Sequence, residues 1–230
     1  IAEVVEDLTD PIAERGSCEV VADYAVPIPM YVIADQLGVP RSEFKKFKEW
    51  SDAWVIGLGM PVPDDVLIDA AKLVVEMQNY MIDRMNERRE KAEDDMLSDL
   101  VRAKFKDERL LNDRELLSIV EQILVAGNET TTNGIANGIF ELAKDKAIQD
   151  ELRKNPDEIS RFVEEVLRYE SPVQGLFRYV TEDTVLDGVA IPRGSTVMIR
   201  YAAGNRDPEK FDNACAFDIG RKNNGAHMAF

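Results

Sequence analysis

The sequence predicts a mainly α-helical protein with a small β region towards its C-terminal end. Through most of residues 1–170, apolar residues recur at intervals of three and four, the period of an amphipathic helix. After Pro172 the pattern changes to short alternating runs separated by turn-forming residues. We expect a single domain over 1–230, with a helical body at about 1–170 and a β- and turn-rich part at about 171–230.

Composition excludes several classes of protein. The 230 residues are 45% hydrophobic and carry a net charge of −16, which allows a packed core and disfavours binding to nucleic acid or to an anionic membrane surface. No stretch approaches the ~18 consecutive apolar residues of a membrane span. Cys18 and Cys215 lie far apart and His227 is the single histidine, which disfavours a disulfide framework and a multi-histidine metal site. We therefore expect a cytoplasmic protein with no membrane and no nucleic-acid partner.

Glycine, proline and capping residues delimit the first helices. A helix is predicted over 1 to about 15, and a short buried helix over 30–40 closes with Gly38 at its C′ position. Ser42 is predicted to cap a third helix over 43–55. That helix carries an aromatic stripe that we expect to face the core: Phe44, Phe47, Trp50 and Trp54.

A loop rich in helix-breaking residues follows, before a long helix predicted over 64–93. Its breakers are Gly57, Gly59, Pro61 and Pro63. Two long helices joined by such a loop favour a lid over a binding cavity. A short helix is expected over 97–104.

The next predicted helix is unusually long. Asn112 or Asp113 caps it, and it reaches about Lys144 despite interior glycines that each cost about 1 kcal/mol relative to alanine. Such glycines are tolerated where a neighbour or ligand needs the space. The remaining predicted elements are helices over 146–154 and 157–169 and strands over 177–180, 184–186 and 196–201.

The segment Ala126-Gly127-Asn128-Glu129-Thr130-Thr131 lies in the middle of this long helix. Its small residues let a ligand approach the backbone, and a Thr130 side chain that bonds back to the Ala126 carbonyl is able to open the helix locally. An acid beside a hydroxyl is suited to proton transfer. A solvent-facing Glu129 in a run of helix-packing threonines explains the same pattern, and both interpretations stay open.

Two further groups of residues have ordinary explanations when taken alone. Glu165 and Arg168 have the spacing of a surface i,i+3 pair, although neighbouring apolar residues favour burial, which requires further hydrogen-bond partners. Arg178 in a strand is typical of a solvated edge, and a lone His227 is typical of a structural residue.

Taken together and in this order, these segments resemble the cytochrome P-450 family of haem-thiolate monooxygenases, of the soluble bacterial type. The resemblance identifies 126–131 as the oxygen-activation motif and 165–168 as the E-x-x-R motif. It extends through the segments 178–180, 187–194, 203–208, 217–221 and 227–230, and residues 25–40 are similar to the family's fifth helix.

The resemblance implies roles for individual residues. Thr130 and Glu129 would manage proton delivery during oxygen activation, and Ala126 and Gly127 would line the oxygen groove beside the haem. Glu165 and Arg168 would form a structural ion pair. In the family an arginine usually completes this pair, at a position that corresponds roughly to Ala216. Because this sequence has alanine there, we consider Arg206 as the substitute.

Further roles concern the cofactor and the substrate. Arg178 and His227 would bind a haem propionate, since guanidinium and imidazole both suit a carboxylate. The family's cysteine ligand is expected beyond Phe230, so we expect no metal ligand in this chain and a structural or incidental Cys215. We expect Ile1 to begin a segment cut from a longer chain. Substrate contacts are expected from Val173, Gln174, Leu176 and Phe177.

The activity implied is that of a monooxygenase. It would hold haem b (iron protoporphyrin IX) and insert one oxygen atom from dioxygen into a small apolar substrate. Electrons would come from NAD(P)H through a ferredoxin- or flavodoxin-type donor. The alternative is a non-enzymatic helical remnant or module of the same fold, unable to bind haem without the thiolate.

Overall fold

The computed structural model describes residues 1–57, 62–106 and 108–229. The chain packs into two compact units, Ile1–Thr132 and Asn133–Phe230, which we describe separately. The predicted fold class is confirmed, because long helices dominate the first unit and small antiparallel sheets follow the helices of the second. The extent of one domain over the whole chain stays a prediction.

In the first unit the helices lie close to their predicted positions. They are α1 (Ala2–Arg15), α2 (Pro27–Gln36), α3 (Phe44–Ile56), α4 (Asp64–Glu90), α5 (Met96–Leu100) and the first part of α6 (Asp113–Lys144). A π-helical turn, Val21–Ala25, precedes α2. The predicted lid loop lies partly outside the described residues, since it includes Gly59 and Pro61.

Two local predictions were wrong. Ser42 does not cap α3, because a 3₁₀ turn over Arg41–Glu43 leads into the helix, and the residue at its N-cap position, Glu43, makes no side-chain capping bond. The short helix predicted to reach Lys104 ends at Leu100. Strand β1 (Lys104–Phe105) instead pairs with β2 (Arg109–Leu110) in a small antiparallel hairpin.

The core of the first unit is built from stripes of apolar residues on successive helix turns. Each fully buried side chain of this size stabilises the fold by about 1.5–3 kcal/mol. The aromatic stripe of α3 is confirmed, with Phe47 and Trp50 buried and Phe44 and Trp54 packed at the edge. The other stripes are Met77, Met81 and Met85 on α4 and Leu116, Val120 and Leu124 on α6.

Gly38 ends α2 as predicted, with a left-handed φ of +68°. A Cβ at this position would lie 2.8 Å from Asp95 Oδ2 and would collide with the Arg88 guanidinium. These two groups form a buried ion pair, in which Arg88 Nε donates to Asp95 Oδ2 at 2.6 Å. Gly38 therefore satisfies a backbone requirement and a packing requirement at once.

Replacing Gly38 with alanine is expected to lower the free energy of unfolding by roughly 3 kcal/mol, because it adds a clash to the strain of a left-handed alanine. Gly16 is a matched control, since its φ is +74° and nothing lies within 4 Å of its Cβ position. Gly16→Ala should cost only ~1 kcal/mol. Urea denaturation of both variants checks the difference, and equal losses would contradict the packing argument.

Helix α6 begins with a capping box. Asn112 Oδ1 accepts from the Glu115 N–H at 3.1 Å, and Glu115 Oε2 accepts from the Asn112 N–H at 2.9 Å. Arg109 donates to both Glu115 oxygens, at 2.7 and 2.8 Å. The Arg109 hydrogen bonds, followed by the one from the Asn112 backbone, lower the pKa of Glu115 to about 2.

This lowered pKa gives a prediction about acid stability. Because the carboxyl has a pKa near 4.5 when unperturbed and about 2 in the fold, its stabilising effect is complete above pH 4.5 and is lost as the pH falls through 2. The free energy of unfolding of Glu115→Gln should therefore depend less on pH across this window than that of the unsubstituted chain. Identical pH profiles from urea denaturation would show that the capping box does not contribute.

The second unit combines the end of α6 with shorter helices and short strands. The helices are α7 (Lys146–Lys154), α8 (Ile159–Tyr169) and the single turn α9 (Tyr201–Gly204). The strands are β3 (Leu176–Tyr179), β4 (Thr184–Leu186), β5 (Val189–Ile191) and β6 (Thr196–Ile199). Strand β6 ends before its predicted limit because α9 begins at Tyr201.

Two antiparallel pairs organise these strands. Strand β3 pairs with β6, with Leu176 opposite Ile199 and Arg178 opposite Val197. Strands β4 and β5 form a hairpin whose turn, Asp187-Gly188, has φ of +48° and +78°, as a type I′ turn requires. Among the residues that the structure describes, no helix is long and apolar enough to cross a membrane.

Candidate functional site

The central segment of α6 holds Thr130 in a defined position. Its Oγ1 donates to the Ala126 carbonyl at 2.6 Å, which confirms the predicted bond to the preceding turn. The helix nevertheless continues without a break from Asp113 to Lys144, so this bond does not open it. The hydroxyl is partly exposed one turn beyond Ala126, on the same face of the helix.

The acid and the glycine of this segment have different surroundings. Glu129 is exposed, and it makes no hydrogen bond or ion pair with any residue that the structure describes. Gly127 lies against α2, where an added Cβ would approach Ile33 Cδ1 to 3.0 Å. Close packing of α2 on α6 therefore accounts for Gly127 without a ligand, while Ala126 and Glu129 remain accessible.

Glu165 and Arg168 form the most extensive polar network of the second unit. Both side chains are 0% exposed. Arg168 donates to Glu165 Oε2 from Nε at 2.8 Å and to Oε1 from Nη2 at 2.7 Å, a bidentate pair. Its other bonds go to backbone carbonyls: Asn205 at 2.7 Å, Ala214 at 2.8 Å and Ala216 at 2.9 Å. All five guanidinium N–H donors are thereby satisfied, as a buried charge requires.

The third side chain of this network is Arg221, and the prediction of Arg206 was wrong. Arg221 Nε lies 3.3 Å from Glu165 Oε1, which also accepts from the Asp218 N–H at 2.9 Å. Arg206 instead stacks on the Tyr169 ring at 4.2 Å and donates to the Tyr169 carbonyl. Arg221 ends the segment 217–221, which sequence reasoning singled out without assigning its arginine.

The same network positions the segment that contains His227. Asn205, whose carbonyl accepts from Arg168, uses its side-chain Oδ1 to accept from the Met228 N–H at 2.7 Å. The side chain of the adjacent His227 is 8% exposed, its Nε2 lies 3.2 Å from Glu164 Oε2, and its Nδ1 accepts from the Ala229 N–H at 3.1 Å. Phe230, the last residue of the predicted motif, lies outside the described residues.

Arg178 projects from a sheet face whose other members are apolar. Alternation along β3 and β6 places Leu176, Val197 and Ile199 on the same face as Arg178. Its guanidinium donates to the Phe177 carbonyl at 2.9 Å and to the Tyr201 hydroxyl at 3.5 Å, and it forms no ion pair with any described residue. The face therefore presents a cation among apolar side chains, of which Leu176 and Ile199 are exposed.

The four predicted substrate-contact residues do not share a face. Val173 and Gln174 lie in the link between α8 and β3, where Gln174 Nε2 donates to the Ser171 carbonyl at 3.0 Å. Leu176 and Phe177 point to opposite sides of β3 because successive strand residues alternate. Both are exposed, at 47% and 59%.

Comparison with known proteins identifies the family. The cytochrome P-450 family model matches residues 45–228. Cytochrome P-450 109 of Bacillus spizizenii is 34% identical over all of this chain and 57% of its own length, and the monooxygenase PikC of Streptomyces venezuelae is 36% identical over all of this chain and 54% of its own length. The chain belongs to the cytochrome P-450 family.

A solved structure agrees with this assignment. The crystal structure of P-450 BioI in complex with acyl carrier protein bearing hexadec-9Z-enoic acid matches 99% of this chain and 58% of that one, with a TM-score of 0.90 and 34% identity. The chain thus spans a little more than half the length of the relatives it matches. The family implies a haem cofactor and electrons from a redox partner.

The described residues fit part of what haem requires. Haem combines an apolar ring with carboxylate substituents, and the Arg178 face offers a cation among apolar side chains with no competing acid bonded to it. Cys18 and Cys215 are both exposed, and the described residues form no group of three or more metal-ligating side chains. The described residues therefore fit the propionate and the ring of haem, and they do not supply a ligand for its iron.

Proposed function

We propose that the full-length protein is a haem-dependent monooxygenase that inserts one oxygen atom from dioxygen into a small apolar substrate. The observation that carries this proposal is the Thr130 hydroxyl, held by the Ala126 carbonyl at 2.6 Å beside the accessible carboxylate of Glu129. Acid and hydroxyl in this arrangement are suited to relay protons. Relatives named as cytochrome P-450 and as a monooxygenase support the reaction class.

Each residue then has a task in this reaction. Bound haem b supplies the redox chemistry that reduces dioxygen. Glu129 exchanges protons with solvent, and the Thr130 hydroxyl passes them inward, oriented by its bond to Ala126. Arg178 would bind a propionate through its guanidinium, and His227 would contribute a second nitrogen donor once its Nε2 turns from Glu164 Oε2 to the propionate.

Electrons come from NAD(P)H through a ferredoxin- or flavodoxin-type donor, and the protein acts in the cytoplasm. The substrate is apolar because Leu176 and Phe177, the residues proposed to contact it together with Val173 and Gln174, present exposed apolar side chains. The net charge of −16 supports a small-molecule substrate over a polyanion.

Isotope labelling tests this function. The haem-loaded full-length protein, supplied with NAD(P)H, a donor and a panel of apolar substrates, is expected to form products that contain a single oxygen-18 atom when the reaction is run under labelled dioxygen. Labelled water should not label the product. Product that takes its oxygen from water, or a reduced haem protein that oxidises none of the panel, would overturn the proposal.

A further inference from the structure

The buried stripe of α6 changes from apolar to polar at its centre. Leu116, Val120 and Leu124 follow one another at intervals of four and are buried in the core of the first unit. The next positions on this stripe are Asn128 and Thr132, which are only 5% and 8% exposed. Burying these polar groups is costly unless they are hydrogen-bonded, so a polar residue here needs a reason.

Asn128 makes a single side-chain hydrogen bond to another helix of the same unit. Its Nδ2 donates to Ser51 Oγ at 2.8 Å, and Ser51, on α3, is 1% exposed. Among the described residues, Asn128 Oδ1 and Thr132 Oγ1 are buried without a hydrogen-bond partner. Leucine at 128 would continue the apolar stripe and remove the unsatisfied Oδ1, so apolar packing does not explain the asparagine, which instead bonds to Ser51.

We propose that the Ser51–Asn128 hydrogen bond fixes the rotation of α6 about its axis and so positions Glu129 and Thr130 for proton delivery. Successive helix residues are 100° apart, so the direction of the Asn128 side chain determines the directions of the next two. Apolar packing tolerates small rotations, whereas a hydrogen bond is restricted in distance and angle. Asn128 and Ser51 are thus positioning residues, and this role rests on the proposed function.

The choice of a buried polar pair over an apolar contact has a physical precedent. Buried polar residues in helix bundles specify register at a cost in stability. In this chain the destabilising polar residue lies next to the residues whose orientation matters for proton delivery, since Asn128 directly precedes Glu129. The back-bond from Thr130 to Ala126 sets the side-chain rotamer, while the Ser51–Asn128 bond sets the helix that carries it.

The test uses the haem-loaded full-length protein and the variants Asn128→Leu and Ser51→Ala. Each is expected to lower the product formed per NAD(P)H consumed by about fivefold, the equivalent of one net hydrogen bond. The double variant should lose no more than either single variant, because both remove the same bond. Thr132→Val is the matched control and should change nothing, since it removes a buried hydroxyl that holds no other helix.

A second readout does not depend on turnover. In threonine-methyl NMR spectra, the Thr130 resonance should be single and sharp in the unsubstituted protein, and broadened or displaced in Asn128→Leu. The swapped pair, Ser51→Asn with Asn128→Ser, is expected to restore both the sharp Thr130 resonance and the product formed per NAD(P)H consumed. An unchanged Thr130 resonance together with unchanged product per NAD(P)H in Asn128→Leu would overturn the positioning role. If the unsubstituted protein oxidises no substrate, the proposed function fails, and the resonance still decides the positioning role.

Discussion

Replacing Glu165 with alanine is expected to destabilise the second unit by about 3–5 kcal/mol, the cost of breaking a buried ion pair from one side. Arg168 would keep its three carbonyl partners but lose both bonds to carboxylate, and Arg221 would lose its contact with Glu165 Oε1. Two guanidinium groups would then share the interior without a counter-charge. The Asp218 N–H would also lose its acceptor.

Hydrogen exchange of peptides from α8 and from 205–221, combined with urea denaturation, measures this loss. The exposed pair Glu158 and Arg161 offers a control, because it has the same i,i+3 spacing and a 2.9 Å contact but lies at the surface. Glu158→Ala should cost 1 kcal/mol or less. If these peptides are as well protected from hydrogen exchange in Glu165→Ala as in Glu158→Ala, the structural role of the network would be contradicted.

Replacing Thr130 with alanine in the haem-loaded full-length protein is expected to leave haem binding intact and to uncouple oxygen consumption from product formation. The variant keeps the helix, since the Ala126 carbonyl still accepts within the helix, but it loses the hydroxyl that relays protons. General acid–base groups typically contribute at least 10²-fold to a rate, so we expect product per NAD(P)H to fall about tenfold or more, with release of peroxide.

Parallel assays of dioxygen uptake, peroxide and product check this expectation. Thr131→Ala is the matched control, since Thr131 is exposed on the next position of the same helix. Thr130→Ser should retain most of the coupling, because it keeps a hydroxyl able to bond to Ala126. Coupled turnover that is unchanged in Thr130→Ala would refute the role given to this hydroxyl.

The features that sequence alone predicted are those determined by neighbouring residues. Gly38 at a helix C′ position, the Asn112 cap and the Thr130 back-bond each depend on groups within a few positions along the chain. The helix α6 was predictable in spite of its glycines because apolar residues at helical spacing occur in the sequence both before and after them. Ser42 failed as a cap because the 3₁₀ turn before α3 depends on the conformation of the whole 40–44 link.

The features that sequence missed depend on contacts between distant residues. Arg221 meets Glu165 from 56 positions away, and Asn128 meets Ser51 from 77 positions away. Arg206 has the same chemistry as Arg221 and lies nearer along the chain, yet the Tyr169 ring and the Glu170 carboxylate hold it elsewhere. Only the fold distinguishes such candidates.

The most direct test of the assignment to haem-thiolate chemistry is the absorption spectrum of the full-length protein, first as purified and then reduced under carbon monoxide. We expect bound haem and the red-shifted Soret band of a thiolate-ligated carbonyl complex. Bound haem without that shift would mean that another ligand holds the iron. A protein that binds no haem would contradict the account and favour a non-enzymatic remnant of the fold.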